Sequence, residues 1–140
     1  DMIQAILGGI GAVSLFVAAI GIANTMMMSI YERTKEIGVL KVLGCALGDI
    51  RTMFLMEAGF IGFMGGVLGL GLSYSVSAAI NKFLGASLSG MTGGSGAISR
   101  IPLWLSGSAV VFAVLIGMLA GLFPALRAMK LSPLAAIRNE

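Results

Sequence analysis

Few side chains in this sequence could do chemistry. There is no His, so the commonest general base and metal ligand are both missing. Cys45 stands alone, which leaves no second thiolate for a metal site and no disulfide within the chain. No G-x-x-x-x-G-K-[ST] run is present to cradle a phosphate, so any ATP must be held by another chain. Glu57 is the one acid that can lie at membrane depth, where a carboxylate is a candidate functional site. It stands two turns past Asp49, only about 12 Å of rise, and a structural pairing with Arg51 or Arg127 competes with an ion-site reading. Met26, Met27 and Met28 offer soft sulfur, but such a run suits packing gaps better than a metal box. Catalytic residues, metal sites and a cofactor of the chain's own are therefore not expected.

The second chemical feature is the run Glu32 to Gly44, reading E-R-T-K-E-I-G-V-L-K-V-L-G. It is an island of charge between apolar stretches. Its residues suit either a solvated loop that sets topology or a surface on which another protein docks. Wound as a helix, Ile37, Leu40 and Leu43 share a stripe beside Gly44. Arg33, Thr34, Gly38 and Lys41 fall on the other side, and Lys35 and Glu36 interrupt the apolar arc. A plain interfacial helix would keep its charges toward water. Mixed faces suit an element with its own spans on one side and a protein groove on the other.

The elements around the island must cross a membrane. The chain is 58% hydrophobic and 11% charged, too few charges to cover a soluble globule of this size. No Asp, Glu, Lys or Arg occurs from Met2 to Tyr31, from Ala58 to Asn81 or from Ile101 to Leu126. Each run exceeds the roughly 20 apolar residues that cross a bilayer. Backbone polar groups in hydrocarbon must pair within the segment, so these runs should be helices. The expected fold is an all-α membrane protein with spans at about 2–31, 50–81 and 102–126 and a cytoplasmic helix at about 33–44.

Lys and Arg counts orient it. Arg33, Lys35, Lys41 and Arg51 flank the first connection, and Arg127, Lys130 and Arg138 lie in the tail, 127–140. Only Lys82 and Arg100 lie in the second connection, 82–101. The island and the C-terminus are thus expected in the cytoplasm and the second connection outside. The start of the chain then also lies outside, so an upstream span and an extracytoplasmic domain are expected. The net charge of +3 follows from this topology and gives no reason to invoke nucleic acid.

Local signals refine the plan. Asp49 reads as an N-cap of the second span. Glycines at 85, 90, 93, 94 and 96 among serines predict a flexible outer connection. Pro102 and Trp104 suit the start of the third span, and Pro124 predicts a kink near its end. Ser132-Pro133 opens a short terminal helix through Arg138. Gly62 and Gly66, Gly65 and Gly69, and Gly117 and Gly121 with Ala113 form rows of small residues that let helices approach closely, within the chain or at a homodimer seam.

The order of residues resembles a known family. Glu32-Arg33-Thr34-Lys35-Glu36-Ile37-Gly38, with Gly44 after it, is similar to the E-R-x-x-E-I-G-x-x-x-A-x-G signature of FtsX-like permease domains of MacB-type (type VII) ABC transporters. Ile50, Phe54 and Glu57-Ala58 continue the match, as do Gly65-Gly66-x-x-Gly69 and Gly121-Leu122-Phe123-Pro124-Ala125 with Ala128, Pro133, Ala136 and Arg138. Lys41-Val42 and Ile137 depart mildly from it. The resemblance implies a multi-pass plasma-membrane (inner-membrane) permease of a bacterium, this chain supplying the last three of four spans. The island would be the coupling helix, with Arg33, Glu36, Ile37, Gly38, Lys41 and Gly44 bearing on docking to a separate ABC ATPase that holds ATP and Mg. It also implies a homodimer of the full permease, contact with an extracytoplasmic adaptor, and export of a drug, peptide or lipoprotein. Two alternatives stand beside it: an ABC-linked mechanotransmitter that regulates a cell-envelope hydrolase, and an ATP-independent carrier using Glu57.

Overall fold

The three charge-free runs form helices. The computed structural model describes residues 2–92 and 100–130, and these hold four helices and no strand. They are α1 (Met2–Glu32), α2 (Thr34–Val42), α3 (Leu47–Thr92) and α4 (Leu103–Met129). α1, the Leu47–Phe83 part of α3, and α4 are each long and apolar enough to cross a membrane. The expected terminal helix from Ser132 to Arg138 lies outside the described residues, as does the outer connection from 93 to 99.

Three boundaries differ from expectation. α3 runs on to Thr92 instead of ending near Asn81. No proline interrupts residues 82–92, and a helical glycine costs only about 1 kcal/mol relative to alanine, so the ladder carries on through Gly85 and Gly90. Asp49 lies within the first turn of α3 and not ahead of it. Its N–H and that of Ile50 both donate to the Ala46 carbonyl, and an acidic residue in the first turn complements the positive end of the helix dipole. Pro102 sits just before α4, with φ −70° and ψ 144°, and its carbonyl accepts from Leu105 and Ser106. Pro124 lies within α4, buried, and the helix continues past it to Met129.

Packing is concentrated at the end of the bundle that carries α2. Met26 and Ile30 of α1, Ile37 of α2, Ile50, Phe54 and Ala58 of α3, and Ala125 and Ala128 of α4 form one buried cluster. In lipid, apolar side chains gain little by leaving hydrocarbon, so dispersion and close backbone approach hold helices together. The α3–α4 crossing is built that way. A Cβ placed on Gly62 would lie 2.5 Å from the Ala113 carbonyl oxygen, and one on Gly117 would lie 2.7 Å from that of Ala58. A Cβ on Gly66 would meet that of Ala113 at 3.0 Å, and one on Gly121 would overlap Ala58. Gly69 belongs to a row that faces elsewhere, for neither it nor Gly65 has a neighbour within 4 Å of such a Cβ. Farther along the crossing, Tyr74 and buried Ser106 share a hydrogen bond of 2.7 Å between their hydroxyls. The first half of α1, by contrast, is exposed along almost its whole length.

Candidate functional site

The charged island is a continuation of α1 with one bent residue. Arg33 has φ −99° and ψ 17°, off the helical values. Yet its N–H donates to the Ser29 carbonyl at 3.1 Å, and its own carbonyl accepts from Ile37 at 3.0 Å. The helical ladder thus passes through the bend. The Thr34 hydroxyl lies 2.9 Å from the carbonyl oxygens of both Ile30 and Tyr31, a back-bond of the kind that bends helices.

Gly44 ends α2 for a stereochemical reason. Its φ is +85°, a left-handed conformation that a Cβ penalises. The Cys45 N–H donates to the Leu40 carbonyl at 3.0 Å and the Gly44 N–H to that of Lys41 at 3.1 Å. These two bonds make a Schellman motif, which satisfies carbonyls that would otherwise be orphaned.

The phase of α2 follows from α1. Met26, Ile30, Thr34, Ile37 and Lys41 recur at helical spacing, and this stripe faces the other helices. Ile37 is 1% exposed and Gly38 is buried. The opposite face carries Lys35 and Glu36 with Val39, Val42 and Leu43, which are 50%, 65% and 78% exposed. The residue pattern places Leu43 on the stripe with Ile37, and Thr34, Gly38 and Lys41 opposite it; in the structure Leu43 turns outward, and Thr34, Gly38 and Lys41 turn toward the bundle. Of the six residues that the resemblance implies for docking, Arg33, Glu36 and Gly44 are exposed, and Ile37, Gly38 and Lys41 are turned toward the bundle.

Lys41 has a defined place there. Its ammonium donates to the Met129 carbonyl at 2.8 Å and to the Ala128 carbonyl at 3.2 Å. Both carbonyls belong to the last turn of α4, where the helix dipole favours a cation. Burial pushes the Lys41 ammonium below its ordinary pKa, because water solvates the charged form less well there.

Glu57 is half-buried in α3. Among the described residues it makes no ion pair, so the expected pairing with Arg51 or Arg127 is absent and both arginines are exposed. Val39, Val42, Leu43 and Lys35 are the members of the outward face that residue types alone did not single out. The phase signal that finds them is the stripe Met26, Ile30, Ile37, read straight through Arg33.

Comparison with known proteins agrees with this architecture. Residues 8–133 match the family described as FtsX-like permease C-terminal. The ABC transporter permease YtrF of Bacillus subtilis is 38% identical over 136 residues, covering 94% of this chain and 31% of that protein. An uncharacterized ABC transporter permease of Methanocaldococcus jannaschii, MJ1507, is 39% identical over 136 residues, 94% of this chain and 32% of its own length. The macrolide export ATP-binding/permease protein MacB of Bdellovibrio bacteriovorus is 40% identical over 135 residues, 96% of this chain and 19% of its own. The chain thus spans about a fifth to a third of the length of these relatives. Three apolar helices, a bent charged continuation of the first, and a match over nearly the whole sequence lead to one assignment: the chain belongs to the FtsX-like permease family of ABC transporters.

Proposed function

We propose that this segment couples ATP hydrolysis by a separate ATP-binding subunit to movement on the far side of the membrane, with α2 as the docking helix. The observation that supports this reading is the two-sidedness of α2. One face is anchored in the bundle through Ile37, Gly38 and Lys41; the other presents Lys35, Glu36, Val39, Val42 and Leu43 outward. Apolar side chains flanked by charges of both signs suit a protein groove better than water alone. Arg33 sits at the root of that face. The lysines and arginines beside α2 and after α4 favour the cytoplasmic side for both, where an ATPase with its ATP and Mg would be met. The full permease acts as a homodimer, and an extracytoplasmic adaptor can receive the movement.

Export is preferred as the work done, because several relatives carry macrolide export in their names. Regulation of a cell-envelope hydrolase would use the same docking helix and differ only in what is driven outside. The docking itself is tested by placing an acid in the apolar face. Val39→Asp with Leu43→Asp should abolish co-purification of the ATP-binding subunit while leaving the permease in the membrane. Undiminished co-purification would remove α2 from the interface.

A further inference from the structure

We infer that Lys41 is a positioning residue that straps α2 to the C-terminal end of α4, so that the docking helix and α4 move together. The inference rests on the reading of α2 as the docking helix and adds a route for the force. Three connections leave α2. The helical ladder through Arg33 ties it to α1, and the Gly44 turn leads covalently to α3. Neither reaches α4.

Lys41 does. Its two acceptors, the carbonyls of Ala128 and Met129, lie 87 and 88 residues away along the sequence. Among the described residues no other side chain of α2 hydrogen-bonds α4. The chemistry of the contact favours a stiff link. Backbone carbonyls at a helix end cannot rotate away as a side chain can, and the last turn offers a converging pair. An ammonium suits that pair, since it is a compact cation with several donors and no acceptor. The contact lies beside Ile37 on the same face of α2, one turn back, where the buried cluster already joins α1, α3 and α4. A pull on the outward face of α2 is therefore delivered to α4 at its end, where leverage on the whole span is greatest.

The test uses the permease reconstituted in nanodiscs with its ATP-binding subunit, reading ATP hydrolysis, co-purification and membrane insertion together. Lys41→Met should lower permease-stimulated ATP hydrolysis about tenfold, the scale of one lost charge-assisted hydrogen bond, while the subunit still co-purifies. Lys41→Arg, which can also donate to both carbonyls, should keep most of the stimulation. In Lys41→Cys with Met129→Cys, a bifunctional thiol reagent of about a lysine's length should restore the stimulation that the double variant loses. Rescue by a covalent link separates a strap from a merely stabilising contact. Wild-type stimulation in Lys41→Met, loss of co-purification in that variant, failure of Lys41→Arg, or failure of the cross-link to rescue would each overturn the strap. If instead the wild-type permease neither captures nor stimulates the subunit, the docking reading fails and the strap falls with it.

Discussion

Gly62 and Gly117 meet back to back: a Cβ on Gly117 would stand 3.1 Å from the Gly62 Cα and 2.7 Å from the Ala58 carbonyl oxygen. Backbone, and not a flexible side chain, fills the space, so neither helix can yield locally. Gly62→Ala and Gly117→Ala should each destabilise the α3–α4 pair by about 1–3 kcal/mol, the usual cost of overpacking. Gly65→Ala, with nothing within 4 Å, should leave that pair unharmed. Thermal melts of the permease in detergent check this; equal losses at Gly65 and Gly62 would contradict the assigned crossing.

The Tyr74–Ser106 hydrogen bond spans the same pair of helices. A double-mutant cycle with Tyr74→Phe and Ser106→Ala should return a coupling of about 0.6 kcal/mol, as interhelical hydrogen bonds in membranes do. Zero coupling would mean that the two hydroxyls do not act on each other.

Gly44→Ala forces a Cβ into a left-handed turn and should cost about 1–2 kcal/mol. The loss should appear as faster hydrogen exchange at the end of α2, since the Schellman bonds of Gly44 and Cys45 hold that end. Unchanged exchange would show that α2 does not need this stop.

These three sites show how legibility varies along the chain. The spans could be read from charge-free runs, because hydrocarbon forces each backbone to pair within itself. The glycine rows could be read as rows. Which row faces α4 could not, since 62/66 and 65/69 look alike until the partner helix is in place. The same holds for α2. Taken alone, its residues favour a stripe through Leu43; joined to α1, the stripe continues from Met26 and Ile30 to Ile37, and Leu43 turns outward. Lys41 was legible only as a charge, for its acceptors are backbone carbonyls from the far end of the sequence.

Lys41 also predicts a pH dependence. Its pKa in the folded protein lies below the ordinary 10.5, so the unfolded chain binds the proton more tightly. Stability should therefore rise with pH between the lowered value and 10.5, and level off above it. The difference in melting temperature between wild type and Lys41→Met, followed across that range, should rise in favour of wild type. A fall would reverse the sign of the effect.

Glu57 separates ATP-driven coupling from an ion-driven carrier. Glu57→Gln keeps the shape and removes the charge. Permease-stimulated ATP hydrolysis and the permease's function should both stay within about twofold of wild type if the acid carries no ion. Loss of function with ATP hydrolysis still coupled would instead favour a carrier that uses this carboxylate.

The central claim is that the outward face of α2 receives the ATP-binding subunit, and reversing its charges tests this most directly. In nanodiscs containing both subunits, Arg33→Glu combined with Glu36→Lys should abolish permease-stimulated ATP hydrolysis. The variant permease should still insert and melt as wild type does, since both side chains are exposed. Stimulation equal to wild type in that double variant would contradict the account.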